Sequence, residues 1–483
     1  MKERMALRAF ALRAGLGALT AISAAALVPG PAGAQAPMSR TKWDTRVLAP
    51  IPSPGFGALS LVAADRRIYV GSFENPAGDS LPSKVFRYGP DGSLETSFTP
   101  GSQDLTAPHG IQVAAQDAAG SLYLLQQSPP RMLRFNPNTG SWAYYASFAQ
   151  VPTCSSVAAG TECKQAIADN ASEPDYAAWG PDGSLYVTDY QQALIWRVPP
   201  GGGIAHVWFT DPRLDGVQFD AAGIVLGADH RTLLFDTAAS APSTGPDFTS
   251  GKLYALPIQP DGKPGPLRQL WVSGPREAPD GFALAQSGNV YMALVGPGVN
   301  QLVEISPQGQ ELGRYPPDPA TNNGFAVPYD EPSSVEFDGE RLIVTNLSYF
   351  AGNSAHQVLF DVWAGEPGMP VYHPPAAPAG APPAQTLPQL ILTAHPRRLR
   401  LRARRRVQFL VTVIQDGRKL LVPGATIQIA GHRVTTDPAG RATVVLRVRR
   451  ALSVRALASA PGFRPAQIDL HVVARRRRRA IIG

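Results

Sequence analysis

Three aspartates hold the same place in a pattern that the sequence repeats. Asp175, Asp215 and Asp280 each stand at the entrance to a short apolar segment, and His109 and Ser333 hold that place in two further copies. Carboxylates gathered at one point raise each other's pKa and destabilise the fold unless a cation lies between them. Oxygen ligands of this kind suit Ca²⁺, Mg²⁺ or Mn²⁺ better than a soft metal. The pattern predicts a metal or substrate site, and turn stabilisation by aspartate is the alternative interpretation.

The pattern itself is clearest between Ala278 and Leu312. This stretch predicts short apolar strands separated by turns that need Gly, Pro, Asn or Asp, with four strands in about 40 residues. Further copies lie near residues 58–98, 108–148, 173–209, 214–272 and 332–364. Repeats of four strands stack radially, because each sheet can bury its faces only against its neighbours. We therefore predict an all-β fold with a six-bladed β-propeller over residues 45–365, and a β-sandwich is the alternative.

The predicted propeller would bring the entrance positions together. In a propeller the first strand of every blade lines a central channel, and the loop before that strand reaches the mouth of the channel. Other Asp-Gly pairs, at Asp91, Asp182 and Asp261, lie between later strands of their repeats. There they predict ordinary hairpin turns.

From about residue 50 to residue 365 the sequence resembles the senescence marker protein/gluconolactonase/luciferin-regenerating-enzyme family, whose members are regucalcin-like. Pro279-Asp280-Gly281 matches the Pro-Asp-Gly turn that carries one metal ligand of the family. Leu214-Asp215-Gly216 stands where the family has an Asn-Gly turn, so Asp replaces Asn. Asp175 stands four residues before Trp179, where the family has Glu.

The resemblance implies a six-bladed propeller with a divalent metal on its axis, held by Asp175, Asp215 and Asp280, with Glu173 as the alternative ligand to Asp175. Ca²⁺ is the favoured metal, and Mg²⁺, Mn²⁺ or Zn²⁺ are alternatives. Many members of the family hydrolyse sugar lactones. The resemblance therefore also implies a metal that polarises a lactone carbonyl and activates water, with Asp280 as the catalytic general base.

Two functions stay open at this point. The first is a hydrolase of small lactones or esters, in which His109 and Ser333 contact the substrate; a structural role is the alternative for His109. The second is a non-catalytic binding propeller, because the strand-loop repeats of NHL-type propellers fit the same spacing. The sequence lacks a Gly-x-Ser-x-Gly elbow, a His-Glu-x-x-His motif and a phosphate loop, which disfavours serine hydrolases, zincins and nucleotide-dependent enzymes.

The N-terminal residues predict export. Residues 1–36 combine a basic leader, an apolar stretch and small residues suited to cleavage, which is typical of a secretory signal peptide. We expect a periplasmic or secreted protein, and no other stretch is long and apolar enough for a transmembrane segment. Cys154 and Cys163 are the two cysteines of the chain. In an oxidising compartment they predict a local disulfide, and a pair of unlinked thiols is the alternative.

The C-terminal part differs in composition. Residues 366–388 are dominated by Pro and Ala, which predicts an extended linker. Residues 389–474 alternate apolar and polar residues between short turns, which predicts an immunoglobulin-like β-sandwich. Within them, residues 405–473 resemble bacterial immunoglobulin-like or carboxypeptidase-regulatory modules. Residues 475–483 form a basic tail.

Basic charge is concentrated in this C-terminal part. Residues 389–483 hold 21 Arg and Lys against three Asp, a net charge of +18, whereas the whole chain has +7. This excess predicts attraction to an anionic envelope polymer or a similar surface, and a solvated charged face is the alternative. We do not expect nucleic acid as a partner, because aromatic residues are not interleaved with the basic ones. We expect a monomer.

Overall fold

The computed structural model describes residues 40–52, 56–101, 103–166, 170–217, 219–240, 251–296, 298–318, 325–374, 389–415, 418–448, 453–460, 463 and 465–473. All of these except Arg40 belong to one compact unit. They are almost entirely β-strands and turns, and their helices are the single 3₁₀ turns Cys154–Ser156, Pro212–Leu214 and Ser354–His356. None of these described helices is long and apolar enough to cross a bilayer. The predicted signal peptide and the basic tail lie outside the described residues.

The strands between Thr45 and Trp363 form units of four antiparallel strands, and the first two units are joined in one larger sheet. The first strand of the chain, β1 (Thr45–Pro50), belongs to the last unit. The first unit has β2 (Phe56–Val62), β3 (Ile68–Phe73), β4 (Val85–Tyr88) and β5 (Leu94–Phe98). The second has β6 (Gly110–Gln116), β7 (Leu122–Gln126), β8 (Arg131–Phe135) and β9 (Trp142–Ser147). The third has β10 (Pro174–Trp179), β11 (Leu185–Asp189), β12 (Leu194–Val198) and β14 (His206–Thr210), while β13 (Gly203–Ile204) pairs with β9.

Three further units follow the same order. The fourth has β15 (Ala221–Leu226), β16 (Thr232–Thr237), β17 (Lys252–Pro257) and β18 (Arg268–Val272). The fifth has β19 (Pro279–Leu284), β20 (Val290–Leu294), β21 (Gln301–Ile305) and β22 (Glu311–Tyr315). The sixth has β23 (Pro332–Asp338), β24 (Arg341–Asn346) and β25 (Val358–Trp363), and β1 completes it by pairing with β25. The predicted hairpins are confirmed, because Gly92, Gly183 and Gly262 lie between paired strands with φ of 83°, 77° and 79°.

The first strands of the units pack side by side in a closed ring. β2 contacts β6, β6 contacts β10, and the order continues through β15, β19 and β23 back to β2. Each unit buries apolar side chains against the next one, as Tyr176 and Ile195 of the third unit do with Ile224 and Phe235 of the fourth. Sheets of four strands in such a ring fit the predicted β-propeller.

Residues 366–373 form a strap across one end of this ring. The Met369 N–H donates to the Leu284 carbonyl oxygen at 2.8 Å, and the Gln286 N–H donates to Pro367 at 2.9 Å. Tyr372 packs on the cores of the third and fourth units. The sequence predicted an extended linker from residue 366, but its first residues are instead packed on the propeller, because apolar side chains such as Tyr372 bury themselves there.

A second, smaller cavity of about 100 Å³ lies beneath the strap. It is lined mostly by the last residues of the first strands, together with Met369, Tyr372 and His373 of the strap. Glu336 of β23 is a titratable group in its wall, and burial raises the pKa of Glu336 to about 8. Most of the side chains that line this end of the channel are therefore apolar.

The C-terminal strands form a β-sandwich of two sheets. One sheet contains β26 (Leu390–His395), β28 (Arg404–Gln415), β29 (Arg418–Leu421) and β32 (Arg441–Arg447). The other contains β27 (Arg398–Arg400), β30 (Thr426–Ile429), β31 (His432–Thr435), β33 (Ser453–Ser459) and β34 (Ala466–Val473). Their shared core includes Val407, Phe409, Ile427 and Leu470. Ile204 of β13, which pairs with β9 of the ring, packs against this core.

A substitution in the strap tests its contribution to stability. A Cβ at Gly368 would lie 2.2 Å from the Phe337 side chain, so Gly368→Ala must displace the strap or Phe337. We expect a loss of about 1–3 kcal/mol, as for other overpacked sites. All seven tryptophans lie between Trp43 and Trp363, so tryptophan fluorescence during denaturation follows the propeller alone. Gly313→Ala is the control, since its Cβ meets only ordinary contacts; equal midpoints for the two variants would contradict the role of the strap.

Candidate functional site

A cavity of about 230 Å³ opens at the end of the ring where the first strands begin. Its charged and polar lining consists of Glu74, His109, Gln112, Gln127, Glu173, Asp175, Gln191, Asp280 and Ser333. Its aromatic lining consists of Phe73, Tyr176, Tyr190, Phe219, Tyr349 and Phe350. Within this described lining no Lys or Arg side chain balances the carboxylates. The cavity therefore favours cations and neutral molecules over anions.

The first strands of the third and fifth units, β10 and β19, each contain a β-bulge that positions a central carboxylate. In β10 the register with β11 shifts within residues 174–177, so Asp175 and Tyr176 lie in a β-bulge. In β19 the register with β20 shifts within residues 279–282, which places Asp280 in the equivalent bulge. Bulges re-aim side chains and recur beside functional sites. The sequence analysis placed Pro279-Asp280-Gly281 in a turn, whereas these residues begin β19.

Tyr176 joins the third unit to the fifth and the sixth. Its hydroxyl lies 3.1 Å from Asp280 Oδ1 and 2.9 Å from the Ser333 carbonyl oxygen. A Cβ at Gly281 would lie 2.3 Å from that hydroxyl. The φ of Gly281 is not in the left-handed region. Glycine is therefore required at this position by the close approach of Tyr176, rather than by a turn.

The environment of the carboxyl groups favours their protonated forms. Burial and the negative charge of Asp280 raise the pKa of Asp175 well above its usual value, although Gln112 donates a hydrogen bond to Asp175 Oδ1 at 2.6 Å. Burial raises the pKa of Asp280 to about 7, and the Tyr176 hydroxyl opposes this rise. Asp175 and Asp280 thus repel each other across the cavity, and Coulombic repulsion is strong where water is excluded.

Glu173 is held in the wall by its neighbours. Its N–H donates to Asp189 Oδ1 at 3.1 Å, while its own Oε1 accepts from Gln127 Nε2 at 2.7 Å. Asp189 Oδ2 accepts in turn from Trp196 Nε1 at 2.8 Å, which fixes the entry loop of the third unit. Burial, and then the negative charge of Asp189, raise the pKa of Glu173 to about 7.

Asp236 is a further carboxyl group near Asp175 and Asp280, and it was not among the site residues predicted from the sequence. It lies near the end of β16 and is fully buried, and its Oδ1 accepts from the Gly223 N–H at 3.1 Å. Among the described residues its Oδ2 has no hydrogen-bond partner. Burial, followed by the charges of Asp280 and Asp175, raises the pKa of Asp236 well above its usual value. A signal was present, because Asp189 and Asp236 both come near the end of the second strand of their unit.

His109 lies in the wall of the cavity, but its ring is used by the protein. Its Nε2 lies 2.8 Å from the Leu81 carbonyl oxygen, and its Nδ1 lies 3.2 Å from that of Ala107. Glu74 Oε2 is 3.1 Å from Nδ1, and the side chain is fully buried. Oxygen atoms of the protein therefore lie within hydrogen-bonding distance of both ring nitrogens. The geometry matches the structural role better than substrate contact.

Asp215 is not brought to the cavity. It lies in the loop after the 3₁₀ turn Pro212–Leu214, six residues before β15 begins, and its Oδ1 accepts from the Val217 N–H at 2.7 Å. From this loop it is Phe219 that lines the cavity, with its ring edge-to-face against Tyr190 at 5.6 Å. We expected three aspartates at the cavity, but only Asp175 and Asp280 line it. The reason is that the entry loop of the fourth unit is longer than the alignment of the repeats indicated.

Ser333 and an aromatic rim complete the mouth. Ser333 Oγ is buried without a hydrogen-bond partner among the described residues. Phe350 is 64% exposed, yet its backbone is fixed because the Phe350 and Ala351 N–H groups donate to the Glu331 carboxylate at 2.7 and 3.0 Å. Its ring lies edge-to-face against Tyr349 at 5.4 Å. The rim therefore presents an aromatic surface on a fixed backbone.

The disulfide lies outside the cavity lining. Cys154 and Cys163 are joined, with a Cα–Cα distance of 4.9 Å, in the connection between β9 and β10. Because β10 carries Asp175, this bond lies in the loop that leads to the site.

An oxygen-preferring divalent cation fits the chemistry of this cavity. Asp175 and Asp280 bring like charges together, and Ser333 Oγ, also in the lining, is a buried oxygen without a hydrogen-bond partner among the described residues. Such cations are often held by one or two carboxylates, with water completing the shell. The described residues contain no cluster of three His, Cys, Asp or Glu side chains ready to hold a metal. The predicted centre of three carboxylates is thus not preformed.

No family model and no curated protein matches this chain. Solved structures that it resembles include regucalcin from Agrobacterium tumefaciens, a calcium-binding protein, at 15% identity over 69% of this chain and 97% of the other, with a TM-score of 0.46. A structural-genomics target assigned to the gluconolactonases shows 14% identity, coverages of 68% and 94%, and a TM-score of 0.44. Virginiamycin B lyase from Staphylococcus aureus shows 16% identity over 65% of this chain and 83% of the other, with a TM-score of 0.40. Such values establish neither an activity nor a ligand for this chain.

The raised pKa values predict how stability depends on pH. Glu173 and Asp280 bind protons more tightly in the folded chain, at pKa about 7, than in the unfolded chain, where carboxyl groups titrate near pH 4. The stability that these two groups contribute is therefore fully present below about pH 4. It is lost as the pH rises from about 4 to about 7. We expect the urea midpoint, followed by tryptophan fluorescence, to decrease over this range, and Asp280→Asn to flatten the decrease. Asp261→Asn, at an exposed turn, is the control; equal slopes for both variants would contradict the assignment.

Proposed function

We propose that the protein is an exported, metal-dependent hydrolase of sugar lactones or related small esters. In this proposal the six units are the blades of a six-bladed propeller, the reaction takes place in the cavity at its mouth, and the C-terminal sandwich is an immunoglobulin-like module. The observation that carries the proposal is the convergence of Asp175, Asp280 and Glu173 on one cavity whose described lining has no Lys or Arg. The basic and apolar leader sequence supports export.

The chain offers oxygen donors for a divalent cation. Among the divalent cations, Ca²⁺ is the one we favour. Asp175 and Asp280 would hold it, and Ser333 Oγ and Glu173 are further oxygen donors in the lining. When bound, such a cation would supply Lewis-acid polarisation of the lactone carbonyl and relieve the repulsion between the carboxylates. Asp215 is not part of this set, because it does not line the cavity.

Asp280 has the properties of a general base. Without a bound cation its pKa is about 7, near the pH at which a general base is most effective, and a cation would favour its ionised form further. The Tyr176 hydroxyl next to Oδ1 holds the carboxylate in place, so that it can accept a proton from an attacking water. Glu173, with a pKa also about 7, is suited to return a proton to the departing alkoxide.

The lining also limits the substrate. Carboxylates without a balancing Lys or Arg in the described lining disfavour phosphorylated and other anionic molecules. Phe350 and Tyr349 offer apolar surface at the mouth, of the kind that orients small ligands in enclosed sites. Neutral lactones and aryl esters therefore fit the cavity best.

A panel of aldonolactones and aryl esters, assayed with and without a chelator, tests the proposal. We expect hydrolysis that the chelator removes and that Ca²⁺ or Mn²⁺ restores. Asp280→Asn should lower kcat by about 100-fold or more, since a general base contributes 10²–10⁴-fold. Asp261→Asn is the matched control, because Asp261 lies in a hairpin turn and not in the cavity lining. Activity that survives both the chelator and Asp280→Asn would contradict the proposal.

A non-catalytic binding propeller, NHL-like and held at an anionic envelope surface by its C-terminal part, is the second candidate. Two observations favour it: both ring nitrogens of His109 face protein oxygens, and the described residues hold no preformed cluster of three metal ligands. Calorimetry separates the candidates. Cation binding that Asp280→Asn abolishes, without hydrolysis of any substrate in the panel, would favour the binding propeller.

A further inference from the structure

One sheet of the C-terminal sandwich carries cations on its outer face. Strands β28 and β32 bury alternate residues, such as Val407 and Val444, in the core between the two sheets. Their other residues point outward, because successive side chains in a strand alternate between faces. On this outer face Arg404 lies directly opposite Arg447, and Arg441 lies opposite Leu410.

The cations follow the full length of the sheet. The residues Arg404, Arg406, Lys419, Arg441 and Arg447 form what we call the basic face. They lie on β28 and on the strands that pair along it, β32 and then β29. A strand of 12 residues such as β28 spans about 40 Å. The charges therefore form a long row rather than a single cluster.

The basic face is not neutralised by its own sheet. Strands β26, β28, β29 and β32 contain no Asp or Glu. The nearby Asp437 lies in the turn before β32, where its Oδ1 accepts from the Arg441 N–H at 2.8 Å. On the other sheet, by contrast, Arg455 pairs with Asp469 at 3.0 Å. Like charges directly opposite, as in Arg404 and Arg447, destabilise a sheet unless something else compensates them.

Aliphatic side chains are interleaved with these cations. Val445 lies opposite Arg406 and is 55% exposed, and Leu421, at 51%, lies in β29 next to the end of β32. Ile414, opposite Lys419, is also 51% exposed. None of the outward positions of β28, β29 and β32 holds an aromatic residue. The face thus combines positive charge with branched apolar groups and offers no surface for stacking.

We propose that the basic face docks on a bilayer surface rich in anionic phospholipid. The arginines and Lys419 would contact lipid phosphates, and Val445, Leu421 and Ile414 would reach the boundary between headgroups and acyl chains. The charge complementarity between this face, whose strands β28, β29 and β32 hold no Asp or Glu, and an anionic lipid surface carries the proposal. This proposal is independent of any hydrolysis by the propeller. For the non-catalytic binding propeller, it specifies anionic phospholipid as the anionic partner.

A phospholipid surface fits this face better than a soluble polyanion does. A polysaccharide or nucleic acid offers phosphates or carboxylates but no apolar layer for the exposed aliphatic residues. Single-stranded nucleic acid is usually gripped by aromatic stacking, for which this face has no residue. An interfacial surface binds by apolar contact together with attraction to anionic lipid.

Co-sedimentation of the full chain with vesicles tests the proposal. We expect binding to vesicles of phosphatidylglycerol and phosphatidylcholine mixed equally, and little binding to phosphatidylcholine alone. Binding should weaken strongly at 0.5 M NaCl, because salt screens exposed charges. Equal binding to the two vesicle types would overturn the proposal.

Paired variants locate the surface. Arg404→Gln with Arg447→Gln should lower the partition coefficient by about 25-fold, or about fivefold for each basic residue near an anionic membrane. Arg398→Gln with Arg400→Gln is the matched control, since it removes the same charge from exposed positions of β27 on the other sheet. Far-UV circular dichroism checks that both pairs are folded. Equal losses in the two pairs would overturn the assignment to this face.

Two further arms separate the other sources of binding. A chain that ends at Val473 should keep most of its vesicle binding, and loss of binding on this truncation would assign it to the basic tail instead. Val445→Ser with Leu421→Ser should weaken vesicle binding but not the binding of heparin, a polyanion without acyl chains. If the serine pair changes nothing and heparin binds as tightly as vesicles, the partner is a hydrophilic polyanion and the proposal is wrong.

Discussion

The repulsion between carboxyl groups at the centre of the ring is the constraint on which the site depends. Asp175, Asp280 and Asp236 are brought together by different units, and burial raises their pKa values because water is excluded. Protonation relieves this repulsion, and a cation of the kind proposed above would relieve it as well. The pKa of Asp280, about 7, allows this carboxyl group to gain or lose a proton near neutral pH.

Several backbone features keep these groups in place against that repulsion. Bulges in β10 and β19 turn the carboxylates toward the cavity, and Tyr176 bridges to Asp280 through space that Gly281 leaves open. At the opposite end the strap of residues 366–373 is held across the ring by backbone hydrogen bonds.

The ring and the C-terminal sandwich differ in the sign of their concentrated charge. The ring concentrates carboxylates in a cavity, whereas the sandwich spreads arginines along an outer sheet without Asp or Glu. Because the cavity of the ring would repel an anionic surface, the proposed contact with anionic lipid is assigned to the basic face of the sandwich.

The amino-acid pattern alone determined the all-β architecture, the repeated units of four strands, the hairpin glycines and the pairing of Cys154 with Cys163, because turn chemistry and alternation are local properties. It also pointed to Asp175 and Asp280. The pattern placed Asp215 at the cavity, because an alignment of repeats does not measure how far an entry loop carries a side chain from the axis. It did not indicate Asp236, which lies in the second strand of its unit. Only the tertiary structure decided which carboxylates meet, because that depends on bulges, on Tyr176 reaching across three units, and on the closure of the ring.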